Sequence, residues 1–226
     1  VAIVLQARVS STRLPAKALA TIGGRTLLEH CLHRLIRSGA GEVLLATTER
    51  AEDDALVEIA GRMNVPVFRG STEDVLARYV GAAESVAADI VIRATGDNPA
   101  VDVDAPSRVV RVLEHASADY ACEEGLPTGA GVEAITYTAL CRAAAAATVP
   151  EDREHVTLYV KHRPGAFRVV RQPAPRPLSC PDLSLTVDTP EDLDYLRRLF
   201  AHVAVPEPAL SDFIAAARSC RRSDAA

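Results

Sequence analysis

Three cations and three hydroxyls fall within one short stretch near the start of the chain: Arg8, Ser10, Ser11, Thr12, Arg13 and Lys17. Arginine forks match phosphate oxygens in pairs, and a lysine ammonium serves as a point charge, so this stretch suits a polyphosphate. A solvated basic loop has the same composition, and residue types alone leave both readings open. The stretch contains neither a Walker A sequence nor a G-x-G-x-x-G fingerprint, so those two nucleotide-binding classes gain no support. Two acids lie far from it in sequence: Asp97 in Gly96-Asp-Asn-Pro99, and Asp188 in Thr186-Val-Asp-Thr-Pro-Glu-Asp192. Each follows an apolar run. A carboxylate at the end of a strand can hold a divalent ion, or it can cap a turn. Thr189, Pro190 and Asp192 read as a helix start, with Thr189 as N-cap and Pro190 at the first helical position, and this cap has no need of Asp188. If the two preceding strands are neighbours, Asp97 and Asp188 meet at one sheet edge. There they would share Mg²⁺ with the phosphates held by the basic stretch.

The hydrophobic pattern predicts the elements that must position these groups. Val1 to Ala7 is a continuous apolar run of strand length, as expected of a strand buried on both faces of a parallel sheet. Thr26 to Glu29 reads as a capping box opening a helix that Gly39 and Gly41 end. Strands are expected at 42–48, 65–68, 89–95 and 119–122. Helices are expected at 53–63, from Ser71-Thr-Glu-Asp74 to about 87, and at 103–115. This alternation indicates a mostly parallel central sheet with helices on both faces. It weakens after residue 120: a loop at 123–131, strands at 132–137, 167–170 and 183–187, and an alanine-rich helix around 143–147. An amphipathic helix is expected around His155, Val156 and Tyr159, and two helices, 191–203 and 209–219, close the chain. The expected organisation is a single domain, 1–226: a core at 1–120, a small mixed β/α insertion at 121–182, and a returning strand with C-terminal helices at 183–220. The tail beyond Cys220, including Arg221 and Arg222, reads as frayed.

Composition narrows the classes further. The 226 residues carry 25 Lys+Arg against 30 Asp+Glu, a formal net charge of -5, which argues against a nucleic-acid binder. No apolar run reaches the length of a membrane span, and the first strand has no basic leader of a signal peptide. Five cysteines without metal or redox spacing read as cytoplasmic, structural thiols. Among the 25 basic residues only two are lysines, Lys17 and Lys161.

R-x-S-S-T-R-L-P-x-K, the later G-D-x-P and the final V-D-T-P-E-D-L together resemble the cytidylyltransferase superfamily. It includes the CMP-sugar synthetases for 3-deoxy-octulosonic and sialic acids, and the branch most similar here is that of the spore coat polysaccharide biosynthesis proteins. Further matches are Ala46-Thr-Thr48 with Glu52-Asp-Asp-Ala-Leu56, Phe68 to Tyr79, Arg93 to Asp97 and Asp152 to Thr157. The resemblance implies a Rossmann-like α/β nucleotidyltransferase fold that transfers CMP from CTP to a sugar or sugar acid and releases pyrophosphate. It implies that Arg8, Arg13 and Lys17 wrap the triphosphate and that Asp97 and Asp188 hold Mg²⁺. Gln6, Ala7, Ser10, Ser71, Asp74, Arg93 and Thr95 would hold the rest of the nucleotide, with the segment from Arg69 to Arg78 around the nucleoside. Glu133, Arg153, Glu154 and His155 would face the acceptor, and a homodimer would form through the mixed segment. The sequence departs from the family pattern twice: Ala16 stands for the usual Gly of R-L-P-G-K, and Gly131 for an Asp in G-x-D-x-E. If the family glycine takes a positive φ, Ala16 is strained. Two other readings stay open. Asp102-Val-Asp104 would suit a metal-dependent glycosyltransferase consuming a nucleotide sugar, although acids at a helix start explain it too. The two departures would also fit a nucleotide-binding relic without turnover.

Overall fold

The computed structural model describes residues 1–11, 13–203 and 205–223, with side chains described as far as Cys220; Thr12 and the side chains of Arg221 and Arg222 lie outside the described residues. The opening apolar run forms β1 (Ala2–Gln6). Ile3 and Leu5 point into one apolar layer, Ala2 and Val4 into the other, and none of the four reaches solvent. A strand buried on both faces must be central, and burying each Ile, Leu or Val side chain stabilises by roughly 1.5–3 kcal/mol. A two-stranded hairpin follows, β2 (Thr21–Ile22) and β3 (Arg25–Thr26). It turns on Gly23 and Gly24, whose φ values of 55° and 84° favour glycine. Helix α1 (Leu27–Ser38) opens on the expected capping box, with Thr26 Oγ1 accepting from Glu29 N at 3.2 Å and Glu29 Oε2 from Thr26 N at 2.7 Å. Gly39 ends it in the left-handed region.

The alternation then runs as expected through β4 (Glu42–Thr48), α2 (Asp54–Arg62), β5 (Val67–Gly70), α3 (Val75–Ser85), β6 (Ile90–Thr95), α4 (Ala105–His115) and β7 (Tyr120–Glu124). The remainder comprises β8 (Glu133–Thr136), α5 (Tyr137–Ala146), α6 (Pro150–Glu154), α7 (Leu158–Lys161), β9 (Val169–Pro173), α8 (Pro190–His202) and α9 (Leu210–Ser223). One sheet of seven strands has the order β5-β4-β1-β6-β8-β7-β9, and only β8 runs against its neighbours. Helices α1, α2 and α4 cover one face, and α3 and α5 the other. The fold is α/β, with a mostly parallel central sheet and helices on both faces.

The order β5-β4-β1-β6 decides where a ligand goes. From β1 the chain winds outward to β4 and β5, then crosses back to place β6 on the other side of β1. That reversal opens a crevice at the carboxyl ends of β1 and β6, where Gln6 and Thr95 are register partners.

Three sequence expectations are corrected. Residues 183–187 are extended but stand outside the seven-stranded sheet, with an isolated bridge from Thr128 to Ser184. Leu183, Leu185 and Val187 are buried against α8 and α9; their alternation reports one buried face, which needs no ladder. The amphipathic helix around His155 is two short pieces, because the chain turns between Glu154 and Leu158 with Val156 at φ 20°. The turn buries Val156 and lets the Thr157 hydroxyl reach Glu133. Helix α4 begins at Ala105, two residues later than expected, and Asp104 at its N-cap makes no side-chain capping bond.

Candidate active site

The crevice between β1 and β6 opens into a cavity of about 810 Å³, walled by the stretch after β1, the end of β6 and the residue after Val187. Lys17 is on its wall. The lysine Nζ lies 3.0 Å from Asp97 Oδ2, from Asp188 Oδ1 and from the Val187 carbonyl oxygen. Arg13 Nη2 donates to the same Asp188 oxygen at 2.9 Å. The two acids meet because Val187 N donates to the Asp97 carbonyl at 2.9 Å, which draws the extended segment against the end of β6. Asp188 N is held by Asp192 Oδ2 at 3.0 Å, inside the capping box that opens α8. Asp97 is oriented by Thr95, whose hydroxyl donates to Oδ1 at 2.5 Å while accepting from Asn98 Nδ2 at 2.8 Å. Gly96 permits the approach of the two strand ends, since a Cβ there would stand 2.9 Å from Ala7 Cβ.

The basic stretch is cinched into a loop. Val9 N donates to Asp53 Oδ1 at 2.7 Å, and Val9 O accepts from Ala16 N at 3.2 Å. Asp53 is fully buried and also accepts from Thr48 N at 3.2 Å. Ala16 has φ 54° and ψ 28°, so the strained alternative is the one realised. Arg8 and Ser10 line the cavity, as do Gln6 and Ala7. Glu154 and His155, expected on the acceptor side, line this larger cavity as well. The Gln6 side-chain oxygen is buried with no protein partner.

Ser71, Asp74 and Arg153 are brought together elsewhere. Asp74 caps α3 by accepting from Ala77 N at 2.9 Å, and it receives Arg153 Nε at 2.7 Å. Arg153 also donates to the Ala144 and Ala147 carbonyls, and none of the three is among the residues lining either cavity. Asp102 is buried against Arg108, with Nη2 to Oδ2 at 2.6 Å, so its carboxylate is engaged inside the protein.

A smaller cavity of about 370 Å³ adjoins the first at Arg93 and Thr95, which line both. Glu133 lies on its wall between two cations: Arg93 Nη1 donates to Oε2 at 3.3 Å, and Lys161 pairs with Oε1. Thr157 Oγ1 donates to Oε2 at 2.7 Å. Burial pushes the Glu133 carboxyl up, but the charges of Arg93 and Lys161 and these hydrogen bonds outweigh it and hold it at about 2.

A family model for cytidylyltransferases matches residues 2–214. The chain belongs to the cytidylyltransferase family. The cytidylyltransferase is 33% identical over 203 residues to the spore coat polysaccharide biosynthesis protein SpsF of Bacillus subtilis, covering 87% of this chain and 85% of that protein. It is 36% identical over 200 residues to an uncharacterized protein of Methanocaldococcus jannaschii, covering 88% and 82%. Its fold matches a cytidylyltransferase structure from Leptospira borgpetersenii with a TM-score of 0.91 at 30% identity, over 97% of this chain and 94% of that one. The chain is therefore a nucleotidyltransferase enzyme.

Three residues that line the cytidylyltransferase's two cavities or fasten their loops escape the sequence pattern. Asp53 lies in a stretch that matches the family, but only the fold reveals its grip on Val9. Arg78 closes the segment expected around the nucleoside without standing out from it. It is buried in the wall of the larger cavity, donates to the Ser71 carbonyl and leaves Nε without a protein partner. Lys161 carries a signal in its rarity, since it is one of two lysines.

Proposed function

We propose that this enzyme transfers CMP from CTP to a sugar or sugar-acid acceptor with release of pyrophosphate, using Mg²⁺. The observation that carries the reading is the convergence of Lys17, Asp97 and Asp188 in a large cavity at the switch point, with a second cavity across Arg93. The first has the volume for a nucleoside triphosphate, and the second, adjoining it at Arg93 and Thr95, would receive the acceptor. Relatives support the acceptor class: a stretch of 123 residues is 35% identical to 3-deoxy-manno-octulosonate cytidylyltransferase of Chelativorans sp., covering 53% of this chain and 48% of that protein.

An acceptor oxygen attacks the α-phosphorus in line, the bond to the bridging oxygen breaks, and pyrophosphate leaves as the acceptor proton passes to water. Lys17 and Arg13 stabilise the charge that builds on the phosphate oxygens. Asp97 Oδ2, Asp188 Oδ1 and the Val187 carbonyl already converge on one cation, an all-oxygen set that fits Mg²⁺ together with phosphate oxygens and water. When bound, the ion supplies Lewis-acid stabilisation to the transferring phosphoryl group. Arg93, on the shared wall, orients the two substrates toward each other.

A pyrophosphate-release screen tests this, pairing each of the four nucleoside triphosphates with 2-keto-3-deoxy acids and neutral sugars, with and without Mg²⁺. Release with CTP and an acid, dependent on the ion, is the expected result. Nucleotide binding with no release for any pair overturns transfer in favour of a relic. Light scattering tests the homodimer expected from the resemblance.

A further inference from the structure

Lys17 has two tasks and room for one of them at a time. Its ammonium gives its N–H groups to Asp97 Oδ2, Asp188 Oδ1 and the Val187 carbonyl, one apiece at 3.0 Å, and none is left for a phosphate oxygen. The same oxygens are the set that fits Mg²⁺, an ion that holds its ligands at roughly 2.0–2.1 Å. An ammonium and a divalent ion repel each other, so oxygens that close on one exclude the other. In its place between the two acids, the lysine can neither screen phosphates nor leave the acids to a metal.

The surroundings separate what is fixed from what moves. The Lys17 backbone is anchored in a short turn, where Ala20 N donates to its carbonyl at 3.0 Å and Leu19 N to the Ala16 carbonyl at 2.9 Å. The acids are anchored as well. Thr95 holds Asp97 through Oδ1, the oxygen that Lys17 does not use, and Asp188 N is held by Asp192. What can move is the flexible stem of the lysine, which lines the same cavity as Arg8, Ser10 and Ser11. Arg13, the other cation on Asp188, has a side chain 65% exposed, and so open a pair holds it weakly.

We infer that Lys17 is a lock on the cation site: in the free enzyme its ammonium stands in for the divalent ion and keeps the two acids together, and it swings onto the phosphates when nucleotide and ion enter. The inference rests on the reading that this cavity takes a triphosphate with Mg²⁺. It adds the form in which they are taken. An ion alone would leave the displaced ammonium without acceptors beside a second positive charge. A nucleotide alone would draw the lysine away and leave two bare acids facing phosphates. The enzyme therefore binds the metal–nucleotide complex as one unit, and the free ion poorly.

Titration of the full chain with Mn²⁺ alone, followed by the electron paramagnetic resonance of the free ion, tests it. When the binding-competent position of a side chain is held by about 10% of molecules or fewer, apparent affinity falls by that fraction. Lys17→Met therefore binds Mn²⁺ at least about tenfold more tightly than the wild type, and adding Asp97→Asn removes the gain. Arg50→Met is the control for charge alone. It takes one cation from the same cavity, one that faces Glu52 at 3.6 Å, and shifts the affinity by less than about threefold. The wild type is read without any substitution. The chain has two lysines, so acylation can be followed peptide by peptide, and Mn²⁺ at a filling concentration raises the labelling of Lys17 relative to Lys161. Equal Mn²⁺ affinity of wild type and Lys17→Met, a gain that Arg50→Met matches or that survives Asp97→Asn, or Lys17 labelling that stays level while Mn²⁺ binds overturns the lock and leaves the metal reading standing. Mn²⁺ that binds none of these proteins, even with CTP present, overturns both.

Discussion

In the larger cavity one lysine meets two carboxylates, and an arginine meets the second of them again; in the smaller, one carboxylate meets a lysine and an arginine. The first group balances its own charge, two cations against two acids. The second group is cationic by one charge, which the surrounding acids offset, since Arg108 is shared by Asp102 and Glu123 while Arg171 faces Glu124. The two regions also differ in origin. The larger is built from strand ends of the parallel half, and the smaller from the reversed strand β8 and the short helix α7.

The largest effect that can break this comparison is expected from Lys17→Ala. It removes the central cation and lowers pyrophosphate release by about 10³-fold, the scale of one electrostatic stabiliser, while circular dichroism shows the fold intact. An unchanged rate removes Lys17 from the chemistry. Asp188→Asn leaves Lys17 one neutralising partner and lowers turnover by about 10²-fold with a raised Mg²⁺ requirement; a Mg²⁺ titration that superimposes on the wild type contradicts the ligand role.

Glu133→Gln acts on the second region, and on stability before rate. The folded carboxyl lies at about 2, below its ordinary value, so its contribution is full above the unfolded value of 4.5 and is lost as pH falls toward about 2. Chemical denaturation at neutral pH should show a loss of about 2 kcal/mol, reduced from the full buried-pair value because the side chain is 16% exposed. The variant's stability should also fall less steeply than the wild type's between those two pH values. The smallest effect is Ala16→Gly, which relieves a left-handed alanine at the cost of a freer unfolded chain. A gain of less than about 1 kcal/mol is expected, read as a small rise in melting temperature.

Much of the first region can be read from the order of residues alone. Arg8, Arg13 and Lys17 lie in one contiguous stretch, and Asp97 and Asp188 each follow an apolar run, so local pattern points to a shared edge. How they meet is beyond local pattern. Residues 183–187 alternate like a sheet strand, yet they join the site through a backbone hydrogen bond from Val187 N to the Asp97 carbonyl and not through the seven-stranded ladder. The second region is harder to read, because Arg93, Glu133 and Lys161 come from three separate elements whose adjacency depends on the reversed strand. Arg153 shows the converse: its motif is shared with the family, but its guanidinium is consumed by Asp74 and two carbonyls, which no spacing rule reveals.

Val9 is fastened on both sides, its amide to Asp53 and its carbonyl to Ala16. The backbone is thus closed on itself between Val9 and Ala16, and Lys17 is tied to the loop again by its own amide, which donates to the Leu14 carbonyl at 3.2 Å. Exchanges of the Ser10 and Ser11 side chains, which line the cavity and take part in none of these fastenings, should leave the lysine where it is, which makes these two positions the natural place to graft altered nucleotide contacts.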